Sequence, residues 1–287
     1  MNSLSYFNPI TLDGCIYSID MVRLDLDFMY MGNQDIVSLI TKNLTLNYEH
    51  YTSLSPHKYR DLLVVSCSNG NKFTLGVGFN ALTGIERRKG FLEFNPNKCC
   101  GQLEFDNLFS YLKFYCTQMI LKRWDLAIDI PYSRNRVKLH KDNRKYERHE
   151  HGAVTEYLGC RNSEGYLKVY DKTKESNLSY NITRIELTID GNPNYDYVKD
   201  LFPQIDIYKN QYNMDMLLEL SQNDLVLLKL LLSSSDFDYY YNQLSRRKRE
   251  RLKPYLFDDT KSFVLDKHCY YHLEDSLRQF IKVRTLK

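Results

Sequence analysis

The sequence predicts an α+β fold of two tandem β-α-β-β-β units with antiparallel sheets, followed by a mainly helical C-terminal region. Strict alternation of apolar and polar residues indicates strands, as in 22–28 and 123–129. The same order of patterns occurs twice before residue 193, which indicates a duplication. Helical periodicity then replaces the alternation. We therefore expect a duplicated α+β domain over 1–192 and a mainly helical region over 193–287.

The first unit begins with the alternating strand 22–28 and continues with a helix near 35–43. A hairpin is predicted next, because two alternating segments flank the turn sequence Ser-Asn-Gly-Asn. Its strands are 62–67 and 72–79, and a strand over 90–94 closes the unit.

The second unit begins with the helix-period segment 105–119 and continues with the strand 123–129. A hairpin over 154–172 and a strand over 183–189 complete it. Several residues match between the units: Arg23-x-Asp25 with Arg123-x-Asp125, Cys67 with Cys160, and Leu92-Glu93-Phe94 with Ile185-Glu186-Leu187. Chance similarity of two strand-rich segments is the alternative. Only the second unit has a phenol at 157, where the first has Val64, so we expect the active site within 104–192.

Composition limits the class of protein. Hydrophobic residues make up 43% of 287, which is ample for a core, and no apolar run reaches about 18 residues, so we expect no membrane span. The first residues lack the basic and apolar blocks of a secretory signal. Seven cysteines without a C-x-x-C pair favour reduced thiols and a cytoplasmic location. A net charge of +3 is too small to diagnose nucleic-acid binding.

One side of the predicted second sheet collects carboxylates, cations and phenols, while the other side is apolar. Clustered carboxylate oxygens suit a hard divalent cation, Mg²⁺ or Mn²⁺. We expect Asp125 and Glu186 as metal ligands, with Asp129 and Glu93 as weaker candidates. A solvated sheet face and arginine–carboxylate pairing across strands are the alternatives.

Tyr157 is the candidate nucleophile among 24 tyrosines, and Tyr170 and Tyr166 are the alternatives. It shares a strand side with Gly159, where a DNA backbone could approach closely. Nearby cations can neutralise phosphate and lower the cost of forming a phenolate. The candidate phosphate- or DNA-binding residues of this hairpin are Arg161, Ser163, Lys168 and Lys172.

Three histidines could also serve a metal. His149 and His151 flank Glu150, whereas many nicking enzymes have two histidines around an apolar residue on a strand. A charged, solvated loop is the alternative for this segment. His140 is similarly ambiguous.

These motifs resemble the Rep-trans family of plasmid rolling-circle replication initiators, which includes related DNA relaxases of integrative elements. The similarity spans roughly residues 15–200 and has four motifs in the expected order: Arg123-x-Asp125-Leu126-Ala127-x-Asp129, Thr155-x-Tyr157-x-Gly159-x-Arg161-x-Ser163, Tyr170-Asp171-Lys172-x-x-Glu175, and Arg184-x-Glu186. Cys160 and Lys168 depart from the family, which usually has serine and often arginine there.

The resemblance implies a relaxase-like endonuclease that nicks one strand at a replication origin, single-stranded or cruciform. Its tyrosine, by motif position Tyr157, would join the 5′ phosphate and leave a free 3′ hydroxyl. The resemblance also implies a homodimer and a host superfamily 1 helicase as partners.

The C-terminal region predicts helices over 214–232, 236–255 and 266–283, the last for docking or dimerisation. The second contains the basic run of Arg246, Arg247 and Lys248, for which DNA phosphate contact and a solvated helix face are both adequate explanations. No Gly-rich phosphate loop occurs, so we expect no ATP hydrolysis by this chain.

Three other functions remain open. A conjugative relaxase would use the same chemistry, and genomic neighbours would separate the two. A non-catalytic origin-binding protein would not need Tyr157 or the carboxylates. A structural interaction protein would give no reason for the charged sheet face.

Overall fold

Eleven strands form one antiparallel sheet in the computed structural model of the chain, which describes residues 7–29, 35–208, 220–234 and 237–282. The strands of the first half are β1 Ile10–Leu12, β2 Cys15–Phe28, β3 Asn47–Thr52, β4 Tyr59–Ser66, β5 Lys72–Ala81 and β6 Gly84–Phe94. Those of the second half are β7 Cys116–Ile130, β9 Tyr146–Glu150, β10 Val154–Leu158, β11 Leu167–Asp171 and β12 Thr183–Asp190. A separate small sheet contains β8 Val137–Leu139, β13 Ile205–Tyr208 and β14 Phe257–Phe263, in the order β14-β13-β8.

The helices of the sheet region are α1 Ile36–Asn43, α2 Pro96–Cys99, α3 Leu103–Tyr115, α4 Lys172–Glu175 and α5 Tyr195–Leu201. Those beyond it are α6 Gln222–Ser233, α7 Phe237–Gln243, α8 Arg246–Leu256 and α9 Lys267–Ile281. No helix in the described ranges is both long and apolar enough to cross a membrane.

The sheet repeats one strand order on both sides of its centre. The first half runs β3-β4-β5-β6-β2, the second runs β9-β10-β11-β12-β7, and β2 pairs with β7. Each half is therefore an antiparallel sheet, and the two are joined edge to edge into one. The predicted α+β class with two tandem antiparallel units is confirmed.

The residue match between the two opening strands is wrong by four positions. Glu93 pairs with Arg23, whereas its counterpart Glu186 pairs with Ala127. The register therefore makes Ala127 of β7 the structural counterpart of Arg23 of β2. Arg123 is instead the direct partner of Arg23 where β2 pairs with β7. Local similarity suggested the match, but hydrogen-bonded register sets which residues are equivalent.

One face of the sheet is covered by helices. Phe105, Leu108 and Leu112 of α3 are almost fully buried there, since they recur at helical spacing on one side. The helix ends at Tyr115 rather than at the predicted residue 119, and the next residues begin β7. The opposite face, called the polar face below, carries the charged and phenolic side chains.

The last helix belongs to this same core. Phe280 of α9 stacks on Phe109 of α3 with 4.2 Å between ring centroids, and Tyr270 lies 5.9 Å from Trp124 of β7. A second, small core contains only residues of α6, α7, α8 and the segment before them: Leu220, Leu228, Leu231, Phe237, Leu252 and Leu256. The predicted division at residue 192 therefore does not separate the two hydrophobic cores. Residues 214–219, the start of one predicted helix, and residues 1–5 lie outside the described residues.

Candidate active site

Strand β10 presents Tyr157 on the polar face because its alternate residues are anchored on the other side. Val154, Glu156 and Leu158 are buried. Glu156 forms an ion pair with the buried Arg134 and accepts a hydrogen bond of 2.5 Å from Tyr146 Oη. Slipping the strand by one residue would bury Tyr157 and expose this carboxylate, so the ion pair fixes the orientation of the phenol.

A row of three polar residues crosses the sheet at Tyr157. Its direct partner is Lys168 on β11, and the partner of Lys168 on β12 is Glu186. Lys168 Nζ lies 3.4 Å from Glu186 Oε2 and 3.8 Å from the ring centre of Tyr170. The Lys168 ammonium is therefore held between the Tyr170 ring and the Glu186 carboxylate.

The three candidate phenols differ in exposure. Tyr170 is 4% exposed and donates a 2.7 Å hydrogen bond to Glu186 Oε1; burial and the Glu186 charge raise its pKa. Burial, followed by the proximity of Tyr157, raises the pKa of Tyr166 to about 12. Tyr157 itself is only partly buried, and its ring stacks on Tyr166 with centroids 5.9 Å apart. Tyr157 and Tyr166 are thus both more exposed than Tyr170, but only Tyr157 of these two lines the cleft described next.

Tyr157 lines a cleft of about 730 Å³ on the polar face. Residues from three strands and from α4 form its walls, and His149 of β9 meets the Tyr157 ring edge-on with centroids 5.6 Å apart. Lys168 and Lys174 also line it. The cleft is wide enough for a phosphodiester segment and carries the cations that such a ligand requires.

Gly159 follows this strand for a backbone reason. Its φ is +89°, a conformation that a side chain would strain, and its N–H donates to Lys145 O at 2.8 Å. The glycine therefore ends β10 with a turn, which explains its presence without DNA contact.

A neighbouring cross-strand row contains an arginine paired with two carboxylates. Arg184 binds Asp129 through two parallel hydrogen bonds of 2.6 and 2.7 Å, and its Nη1 lies 3.4 Å from Asp20 Oδ1. Both partners of the bidentate pair are largely buried. The sequence offered arginine pairing as the alternative to metal binding for Asp129. Both carboxylate oxygens of Asp129 accept hydrogen bonds from Arg184.

Glu93 is likewise paired. Its Oε2 lies 3.3 Å from Arg23 Nη1 and 3.7 Å from Arg123 Nη2, so one carboxylate from the first half contacts arginines of both halves. Arginine–carboxylate pairing, the alternative stated from the sequence, therefore occurs at both Asp129 and Glu93, the weaker metal-ligand candidates.

Of the two favoured ligands, Glu186 is paired with Lys168 and accepts from Tyr170, whereas Asp125 is hydrogen-bonded to a threonine. Asp125 accepts a 2.8 Å hydrogen bond from Thr188, its direct cross-strand partner. Burial raises the pKa of Asp125 to about 6; the Thr188 hydrogen bond opposes this rise, and the nearby Glu186 charge adds to it. A bound cation would relieve that cost, and Mg²⁺ commonly uses one or two carboxylates plus substrate phosphate. These two residues fit such an ion, although no group of three or more His, Cys, Asp or Glu side chains within the described ranges is arranged to hold one.

The other predicted phosphate-binding residues lie around the hairpin. Arg161 and Ser163 are exposed in the turn between β10 and β11, and Ser163 Oγ donates to Cys160 O at 2.5 Å. Lys172 begins α4 and forms a 2.5 Å ion pair with Glu175. These three residues are therefore beside the row of Tyr157, not within it.

The histidines are dispersed. His149 lies beside Tyr157, with Nε2 3.7 Å from Glu147 Oε2, and His151 is exposed in the following turn while still lining the cleft. His140 is at the small sheet, 2.6 Å from Asp206 Oδ2. His140 therefore belongs to another part of the molecule.

Helix α8 carries the basic run, and its cations lie on different sides. Arg246, Arg249 and Lys253, at helical spacing, line a cleft of about 590 Å³ against the small sheet, where Lys138 of β8 also lines it. Arg247 and Lys248 are exposed and do not line this cleft. Of the predicted DNA-binding residues Arg246, Arg247 and Lys248, only Arg246 therefore faces the cleft.

Several site residues were not identified from the sequence. Asp20 contacts Arg184, Thr188 contacts Asp125, and Lys138 faces α8 across the basic cleft. Asp20 is separated from Arg184 by 164 positions, so no local pattern links them. Thr188 could have been found, since it alternates with Glu186 on one strand.

Comparisons with known proteins give little further information. No protein-family model and no curated protein sequence matches the chain. Three chains of solved structures match it. One is a rolling-circle replication initiator protein from Geobacillus stearothermophilus, 12% identical, with 95% of this chain and 100% of that chain covered and a TM-score of 0.39. A TM-score this low establishes neither a shared fold nor a shared activity.

Proposed function

We propose that the protein is a DNA strand-nicking and joining enzyme that initiates rolling-circle replication at an origin. The observation that supports this most directly is the cross-strand row of Tyr157, Lys168 and Glu186, of which Tyr157 and Lys168 line an open cleft. A partly exposed phenol facing a lysine suits nucleophilic attack on a phosphodiester better than it suits sheet stability alone.

In the proposed reaction, Tyr157 Oη attacks the phosphorus and the bond from phosphorus to the 3′ oxygen breaks. The products are a 5′-phosphotyrosine ester and a free 3′ hydroxyl. Lys168 stabilises the phenolate and the added phosphate charge. The phenolic proton passes to a base, for which His149 beside the Tyr157 ring is the candidate, and water protonates the 3′ oxygen. Rejoining reverses these steps.

Asp125 and Glu186 would hold Mg²⁺ or Mn²⁺. When bound, such an ion would supply positive charge to a non-bridging phosphate oxygen. The paired Asp129 and Arg184 would instead keep the strands in register beside the site. Following the resemblance found in the sequence, we extend the proposal to a homodimer working with a host superfamily 1 helicase.

The test incubates the protein with single-stranded oligonucleotides from its own replicon and Mn²⁺. We expect a protease-sensitive DNA adduct with the wild type and with Tyr166→Phe, and none with Tyr157→Phe. Tyr170→Phe should retain it in part, since that phenol supports Glu186. An adduct that persists in Tyr157→Phe would refute the assigned nucleophile, and no adduct with any origin strand would refute the function.

A further inference from the structure

A third cleft lies beside an edge of β2 where the neighbour is α2 and not a strand, since Asn97 Nδ2 donates to Ile19 O at 2.7 Å. This strand pairs with β1 at Cys15–Tyr17 and with β6 from Val22 onward, and the edge between these pairings borders a cleft of about 920 Å³. Because the cleft passes the edge of the sheet, residues of both faces line it. Asp129 and Arg184 come from the polar face, and Phe109 and Phe280 come from the helical face.

The cleft contains a buried amide oxygen that has no hydrogen-bond partner in the described chain. Asn95 is 7% exposed, and its Oδ1 is the unsatisfied atom. Its Nδ2 donates to Asp20 Oδ1 at 3.0 Å, so turning the amide around would place two oxygens in contact. Asn95 therefore has an unused acceptor, and leaving it buried and unused is costly unless a ligand or an ordered water supplies a donor.

The remaining lining suits a nucleotide. Phe7, Pro9 and Ile16 supply apolar surface for a base. Four cations, Lys98, Lys113, Lys172 and Arg184, and three carboxylates, Asp20, Asp106 and Asp129, also line the cleft, which leaves an excess of one positive charge for a phosphate. The volume lies in the range of small-ligand clefts. A base with an exocyclic amino group would give Asn95 the donor it lacks.

Contacts connect this cleft to the row of Tyr157. Asp20 accepts from Asn95 and also lies 3.4 Å from Arg184, and Arg184 is the direct strand partner of Tyr170. Tyr170 and Lys168 line the cleft at Tyr157. A strand bound at Tyr157 of β10 can therefore reach the edge cleft at β2 by crossing β11, β12 and β7, a distance of about 19 Å or four strand spacings.

We propose that this edge cleft binds one base of the single-stranded DNA that flanks the cleaved phosphate. The proposal deepens the proposed nicking function and rests on it for the identity of the ligand. It assigns Asn95 to base recognition and the cleft to selection of the cleavage position.

The test combines an abasic scan with a variant that fills the cleft. An origin strand carries one abasic nucleotide at each position within five of the nick, and binding to the Tyr157→Phe protein and nicking by the wild type are both measured. We expect one position at which the missing base weakens binding about tenfold, as expected for loss of one buried base. Ser110→Trp, which lines the cleft from α3, should weaken binding of the intact strand to a similar extent and abolish the penalty at that position.

The matched control is Asn107→Trp, an exposed residue of the same helix that does not line the cleft. It should leave both the affinity and the abasic penalty unchanged. If Ser110→Trp binds and nicks like the control, or keeps the abasic penalty, the base cleft is refuted while the nicking function stands. If binding depends on the cleft but no adduct forms, nicking fails and the cleft stands. Absence of both binding and nicking refutes both.

Discussion

Tyr157 and Lys168 are direct partners across two antiparallel strands of the polar face, and the Lys168 ammonium lies 3.4 Å from Glu186. The same ammonium lies 3.8 Å from the centre of the Tyr170 ring, so it is held between that ring and the Glu186 carboxylate, on the strand next to the candidate nucleophile. Lys168 is therefore placed to stabilise negative charge next to Tyr157, and this effect depends on where the ammonium lies as well as on its positive charge.

Lys168→Met should lower the rate of strand cleavage about 100-fold, the usual effect of removing one group that stabilises transition-state charge. Lys168→Arg should retain most activity. Single-turnover cleavage of an origin oligonucleotide measures both. Lys145→Met is the control, because Lys145 is exposed directly before β9 and pairs with Glu147. Equal rates for Lys168→Met and this control would contradict the assignment.

The raised pKa of Asp125 leads us to expect an unusual dependence of the protein's stability on pH. Its pKa is raised from 3.8 to about 6 in the folded protein, so the folded state binds more protons than the unfolded state between these values. Stability contributed by this group therefore falls as pH rises from about 4 through 6. Asp125→Asn should abolish cleavage yet stabilise the protein above pH 7 by on the order of 2 kcal/mol, with little difference near pH 4.

Thermal unfolding in EDTA measures this effect without a bound metal. Asp129→Asn is the matched control on the same strand, because it removes the bidentate partner of Arg184 and should lower Tm at pH 7. Loss of stability in Asp125→Asn at pH 8 would show that its carboxylate is a structural group.

The two sides of α8 predict different roles in duplex binding. Arg249→Ala with Lys253→Ala removes two cations from the cleft against the small sheet, whereas Arg247→Ala with Lys248→Ala removes two from outside it. The first pair should lower origin-duplex affinity and reduce the slope of log K against log salt by about 2. The second pair is matched in charge and should change the slope much less. Fluorescence anisotropy over a salt series measures the affinity and the slope for each double variant. Equal slopes for the two double variants would mean that DNA does not bind in the cleft.

The packing of α9 on the large sheet predicts that it is required for stability. Phe280 is 5% exposed between Phe109, Phe94 and Phe7, so Phe280→Ala should destabilise the protein by about 3–5 kcal/mol. Tyr271→Ala on the same helix removes a 40% exposed ring and should cost much less. Denaturant unfolding compares them. A small effect of Phe280→Ala would mean that α9 folds apart from the sheet.

The sequence by itself determined which side of each strand is apolar and therefore the side on which Tyr157, Lys168 and Glu186 lie. It did so because alternation with a period of two follows from local backbone geometry. The hairpin pairings of β4 with β5 and of β10 with β11 also followed, since hairpins join neighbours in the chain, whereas the edge strands β3 and β9 were not predicted.

Only the tertiary structure decided which side chains meet. Asp129 and Glu93 looked like metal ligands in the sequence, but pairing of β12 with β7 and of β6 with β2 brings arginines against them. Tyr170 and Tyr157 alternate alike with their neighbours, yet Tyr170 is buried against Glu186. Register between strands far apart in the chain, and the packing of the last helix on the first half, depend on contacts across many residues, which no local pattern encodes.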